Sequence, residues 1–157
     1  MRILRSLVAL VASAALAAGC GWSPSAPAPT STADCGPGPT ADAVTAEFAL
    51  LPPGAWRDTA RGNTPDCRLY WVVVTSGEAL DSPQQVLFFD TDGPIGSPTP
   101  EPRPYITVIP QGDTTAAVQY QWRQGQEEPC CPTGIGSARV TVEDGRLTVL
   151  DPIPGPP

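Results

Sequence analysis

The chain has 157 residues, enough for one ordinary domain. It carries nine arginines, no lysine and 16 carboxylates, for a net charge of −7. Such a surface repels phosphate backbones and gains nothing from anionic lipid, which excludes nucleic acid as an expected partner.

Arg2 and Arg5 form a short positive segment, and Leu7 to Ala18 follows as an uncharged apolar run of 12 residues. A membrane span needs about 20, so residues 1–19 read as a cleavable signal peptide. The segment ends in Leu16-Ala17-Ala18-Gly19-Cys20, which resembles a lipobox, with Ala17 where the pattern usually has Leu, Val or Ile. Cys20 is therefore the expected lipidation site. Two or more acyl chains, at ~0.8 kcal/mol per buried methylene, hold a protein stably on a membrane. Loss of Arg2 and Arg5 leaves seven arginines against 16 carboxylates, or −9. Residues 20–39 then read as a lipidated cysteine and a tether; five of the 19 residues from 21 to 39 are proline. At ~3.1 Å per residue such a tether reaches roughly 60 Å.

Residues 40–157 are the expected ectodomain. Thr40 suits a helix cap, with Asp42 and Glu47 early in the helix and Val44, Phe48 and Leu51 on one stripe. Pro52-Pro53-Gly54 stops it. Six strand-like segments follow: Leu69–Thr75, Gln85–Asp90, Tyr105–Ile109, Ala116–Arg123, Ala138–Glu143 and Arg146–Leu150. The first two are apolar on both alternating faces, as central strands covered on both sides are. Ala116, Val118, Tyr120 and Trp122 alternate with polar residues. Asp144-Gly145 is a two-residue hairpin link, and Gly112-Asp113 joins the third and fourth strands. The proline-rich stretch 94–104 separates strand-like segments, and the tail from Pro152 is extended. The expected fold class is α+β: a single small domain, about six mostly antiparallel strands in meander order with one N-terminal helix, disulfide-stapled.

With Cys20 acylated, Cys35, Cys67, Cys130 and Cys131 remain, an even number in an oxidising compartment. A Cys130–Cys131 bond needs a strained eight-membered ring and ranks last of the three pairings. The other two each tie one member of that pair to Cys35 and the other to Cys67, and residue order does not choose between them.

Histidine is absent, so neither a Ser-His-Asp nor a Cys-His site can be built from this chain. The reading assigns no catalytic residue, no metal and no cofactor. Asp90 and Asp92 could begin a calcium loop, but Pro94, Ile95 and Gly96 follow where acids are needed, and a strand-ending turn fits better. Glu127 and Glu128 could act as an acid–base pair, yet adjacent glutamates in a polar loop are ordinarily solvated. Ser76, Ser82 and Ser97 lack a nucleophile context. Gln119, Gln121 and Arg123, alongside Arg139, Thr141 and Glu143, form a polar sheet face that is either a binding surface or an ordinary solvated one. Tyr70, Trp71, Tyr120 and Trp122 either line an apolar pocket or fill the core.

The segments QVLFFDTDGPIGSPTPEPRPYITVI, VQYQWRQGQEEPCCPTGIG and DGRLTVLDPIP resemble the LppP/LprE family of actinobacterial lipoproteins, over residues 67–154. The resemblance implies an exported, acylated envelope protein on the extracytoplasmic face of the cell membrane. It brings no assigned activity and no catalytic residues. The leading expectation is a non-enzymatic module binding an envelope protein, glycan or lipid. A lipid carrier would need an apolar cavity between helix and sheet. A hydrolase or transferase would need Asp90, Asp92, Glu127 and Glu128 to converge.

Overall fold

The computed structural model describes residues 34–156. The signal peptide, Cys20 and all of the tether before Asp34 lie outside them.

Helix α1 spans Ala41–Glu47 and runs into one 3-10 turn, Phe48–Leu50. The Thr40 hydroxyl accepts from the Ala43 N–H at 3.2 Å, satisfying one of the free donors of the first turn. Eight strands follow: β1 Trp56–Asn63, β2 Tyr70–Ser76, β3 Gln84–Phe89, β4 Pro94–Gly96, β5 Ile106–Pro110, β6 Thr115–Trp122, β7 Gly134–Glu143 and β8 Arg146–Val149. They form two four-stranded antiparallel sheets, β1-β2-β3-β4 and β5-β6-β7-β8.

The first sheet is the middle layer. Trp71, Val73, Val86 and Phe88 point from β2 and β3 into the second sheet, where they meet Ile106, Ala116, Val118, Tyr120, Val140 and Val142. Val72, Val74, Leu87 and Phe89 point the other way, onto Val44, Phe48 and Leu51 of the helical segment. Period-two alternation thus carries two cores through one pair of strands. Each fully buried aliphatic or aromatic side chain contributes about 1.5–3 kcal/mol relative to exposure. Open grooves of about 390 and 210 Å³ border the helical segment on this face.

The class is α+β, but there are two sheets of four strands and not one meander of six. Strand β1, WRDTARGN, is exposed along most of its length and carries charges and a glycine. That pattern suits an edge, where pairing on one side suffices and charge blunts further addition. It has no apolar alternation to betray it. Strand β4 has three residues and begins with proline. Residues 97–105 then cross between the sheets. Within each sheet the strands do run in chain order, and Asp144 (φ +50°) and Gly145 (φ +69°) make the tight β7–β8 turn.

The cysteine pairing ranked last is present. Cys35 bonds to Cys67, with Cα atoms 5.3 Å apart, and Cys130 bonds to Cys131. Topology explains the correction. Cys67 lies in the β1–β2 turn, which touches the β5–β6 turn through the Asp66 N–H to Asp113 carbonyl bond. Cys130 and Cys131 lie in the loop at the other end of β6. Eight residues at ~3.3 Å separate the two ends by about 26 Å, and a disulfide needs Cα atoms within about 7 Å. Residues 34–39, assigned by composition to the tether, are held to the first sheet: the Tyr70 hydroxyl donates to the Cys35 carbonyl at 3.0 Å and Arg61 Nη1 to the Pro39 carbonyl at 2.6 Å.

Tryptic mapping without reduction tests the pairing. Cleavage after Arg61, Arg68, Arg123 and Arg139 should join the Cys35 and Cys67 peptides and leave Cys130 and Cys131 together, 2 hydrogens light, in the single peptide 124–139. A peptide linking residue 130 or 131 to residue 35 or 67 would contradict the fold.

Candidate functional site

A groove of about 440 Å³ opens where the crossover, the end of β6 and the C-terminal tail meet. Its walls come from four separate stretches: Asp81 from the β2–β3 loop, Arg103 to Tyr105 from the crossover, Tyr120 to Arg123 from the end of β6 and the residue after it, and Gly155-Pro156 from the tail.

Each wall has its own support. Trp122 pairs across strands with Gly134. A Cβ at Gly134 would overlap the indole, so glycine there lets the ring lie on the β7 backbone. The tail begins at a clasp on the outer face of the second sheet. Arg139 donates to the Asp151 carboxylate from its backbone N–H (2.9 Å), Nε (2.8 Å) and Nη2 (2.9 Å). Arg103 Nη1 donates to the Pro154 carbonyl at 2.7 Å, and its guanidinium stands 5.3 Å from the Tyr120 ring centroid. Tyr105 holds φ at +59°, a left-handed conformation rare for a bulky side chain. Its hydroxyl donates to the Pro129 carbonyl at 2.8 Å.

Two positive groups face one carboxylate at this groove. Arg123 is exposed and loosely paired, 4.0 Å from Asp81 and 3.5 Å from the Glu127 carbonyl. Tyr120 is 1% exposed, and its hydroxyl has no protein hydrogen-bond partner. Burial pushes that phenol up to about 12, against the lowering influence of the Arg103 charge and the nearby Thr99 hydroxyl.

The predicted polar face divides. Gln121 and Arg123 border the groove. Gln119 and Arg139 lie further along the outer face, and Arg139 is committed to Asp151. The four aromatics divide too. Trp71 fills the core against Gly62. Tyr70 borders a different open groove, of about 390 Å³, near Cys35 and Asp90. Only Tyr120 and Trp122 reach the site described here. Arg103, Tyr105, Asp81 and the tail were not singled out from sequence. An arginine and a tyrosine among the prolines of PEPRPY carried the signal, since neither suits a plain spacer.

The carboxylates weighed for acid–base work do not converge. Asp90 Oδ1 accepts from the Asp92 and Gly93 N–H groups at 2.8 and 3.0 Å, closing a turn. That turn sits by Gly145, at the end of β7 opposite the loop holding Glu127 and Glu128. Glu127 clasps its own loop, accepting from the Thr133 hydroxyl and from the Gln124 (2.7 Å) and Thr133 (3.0 Å) N–H groups. Those bonds, the Thr133 hydroxyl first, hold its carboxyl below the usual range. Among the described residues, no three of His, Cys, Asp or Glu are grouped to hold a metal ion.

Comparison with known proteins bears on the same stretch. The family model described as LppP/LprE lipoprotein matches residues 61–145. Proteins named lipoprotein LppP in Mycobacterium tuberculosis and in Mycobacterium bovis are 47% identical over 146 residues, covering 88% of this chain and 83% of theirs. No solved structure matches the chain.

Two substitutions test the energetics of the walls. Tyr120→Phe removes a buried hydroxyl that lacks a well-formed hydrogen bond, so stability should hold or rise by up to about 1 kcal/mol, read as an equal or higher urea midpoint at unchanged m. Asp151 is held from its ordinary 3.8 down to about 2, chiefly by the Arg139 side chain and then by its backbone N–H. A depressed folded pKa gives stability that is present above the ordinary value and lost as pH falls through about 2. Asp151→Asn should therefore flatten the fall in stability between pH 4 and 2, followed by urea unfolding at stepped pH. An unchanged acid limb would show that the clasp does not bear on folding.

Proposed function

The chain belongs to the LppP/LprE lipoprotein family, and from that premise we propose that it is a non-enzymatic binding module, held at the extracytoplasmic face by acyl chains on Cys20. Its groove takes an amphipathic envelope molecule with an apolar body and an acidic group. The observation that carries this reading is the local charge of an otherwise acidic protein. The mature chain would carry −9, yet among the described residues that line the groove Arg103 and Arg123 stand against one carboxylate, Asp81. An acidic ligand is repelled by the net charge of the surface and favoured where these two arginines stand.

The lining fits the rest of such a molecule. Tyr105, Trp122, Pro104 and Pro156 offer apolar and aromatic area over the buried Tyr120, with few polar groups placed among them. Arg123 supports the acidic end best, because its existing partners are distant and it gives up little on engaging another. The strained Tyr105 backbone belongs to the same reading, since such conformations persist where surrounding structure imposes them and concentrate at ligand sites. The membrane anchor supplies location: acyl chains do not depend on surface charge, so an acidic domain stays attached.

The anionic aromatic dye 8-anilinonaphthalene-1-sulfonate is a direct probe, used with residues 21–157 so that neither an acyl group nor the apolar leader binds it. Folded protein should enhance its fluorescence saturably. Arg123→Ala should weaken binding roughly tenfold, about 1.4 kcal/mol, while Arg146→Ala, at the distant start of β8, should not. Equal affinity in all three proteins would overturn the reading.

A further inference from the structure

We propose that Cys130–Cys131 is a thiol–disulfide exchange site: it takes two electrons from an extracytoplasmic protein dithiol, and its opening frees the loop that ties Tyr105 at the groove mouth. The exchange itself stands on the loop alone; its consequence for ligand uptake rests on the binding reading above.

The two disulfides differ in what they do for the chain. Cys35–Cys67 spans 32 residues, and closing such a loop constrains the unfolded chain by about 4 kcal/mol in the entropy model. Cys130–Cys131 has a sequence separation of 1. It joins residues that are already neighbours, so it restricts the unfolded chain little and staples no element to another. The fold has no need of it.

Access differs in the same direction. Cys130 and Cys131 are both exposed, in the loop between β6 and β7. Cys35 and Cys67 are half-buried, with Asn63 Nδ2 2.9 Å from Cys35 Sγ. Exchange requires a thiolate to reach a sulfur, and exposed bonds are the labile ones. A thiolate of the reductant attacks one Sγ and forms a mixed disulfide. The Sγ–Sγ bond breaks, and its electron pair leaves on the other cysteine, which takes a proton. The reductant's second thiol then attacks the mixed disulfide, closes its own S–S bond and releases the second cysteine, which is protonated in turn. Two electrons and two protons pass to the pair, and the partner ends oxidised. Glu127 and Glu128 lie just before the cysteines, so a partner presenting its dithiol on a neutral or basic surface is favoured.

The loop transmits the change through one bond. Pro129 precedes Cys130, and its carbonyl accepts the Tyr105 hydroxyl at 2.8 Å. Tyr105 borders the groove in its left-handed conformation. Opening the ring frees the backbone next to that carbonyl, and with it the restraint on Tyr105. The Glu127 clasp on Thr133 keeps the rest of the loop in place.

The test uses native membranes treated with graded dithiothreitol, then alkylation and mass spectrometry. Cys130 and Cys131 should be alkylated at roughly tenfold lower dithiothreitol than Cys35 and Cys67. After that selective reduction, hydrogen–deuterium exchange should rise several-fold in the peptide containing Tyr105 and stay unchanged in β2, as it should without reductant in Cys130→Ser/Cys131→Ser. Joint or reverse-order opening would overturn the exchange site, and so would faster exchange in β2, which would make the bond a staple. Unchanged exchange around Tyr105 would overturn the link to the groove. The alkylation order reads the same whether or not the groove binds the dye, so the two proposals fail separately.

Discussion

Pro98, Pro100, Pro102 and Pro104 stand at every second position between Ser97 and Tyr105. The stretch bends at 98–101 and again at 104–105. Proline has no N–H, so every second residue lacks the donor that a sheet ladder needs. The stretch makes one bridge to the first sheet: Arg103 and Gln84 exchange backbone hydrogen bonds at 2.8 and 3.0 Å. Side chains complete the attachment, with Gln85 Nε2 donating to the Thr99 carbonyl and Gln84 Oε1 accepting from the Ile106 N–H. A segment that lacks every second donor cannot continue a sheet through itself. The chain therefore leaves the first sheet here and builds a second, and the apolar faces of the two meet.

The groove is a by-product of that departure. Arg103 and Tyr105 sit where the crossover turns into β5, beside the end of β6. No contiguous stretch makes the site. The Arg139–Asp151 clasp, the Arg103–Pro154 bond and the seat of Trp122 on Gly134 bring together residues up to 51 apart in sequence. Most of these contacts are partly exposed, where each is worth little alone. The wall stands because several act on one short tail whose proline φ angles are already fixed.

How much of this was legible depended on whether the signal was local. Two-sided burial in β2 and β3 was legible, because Trp71 and Val73 alternate with Val72 and Val74 and no one-sided strand tolerates that. So were the Thr40 cap, the alternation of β6 and β7, and the Asp144-Gly145 turn, all decided within a few residues. Strand β1 was not, because an edge strand answers to its neighbour β2 and not to a core. The cysteine ranking failed for a related reason. Ring strain is a local argument and disfavours Cys130–Cys131, but distance is a global one, and it removes every alternative. At the site, Gln121 and Arg123 were reachable from their place on an alternating strand. Arg139 looked equivalent, and only the return of the tail showed that Asp151 already occupies it.

Placement of the Cys35–Cys67 bond also bears on the anchored reading. The described chain enters at Asp34, next to this bond, at the β1–β2 end of the sandwich. Any pull from an acylated N-terminus would enter there and pass through a covalent link into the turn before β2, a strand buried at five of its seven residues. The groove lies at the other end of β6, about eight residues or ~26 Å away. Load and ligand would then act on opposite ends of one stiff sheet pair. That separation suits a domain that works while tethered: its anchored end is cross-linked, and its loosely clasped walls lie where no load is applied.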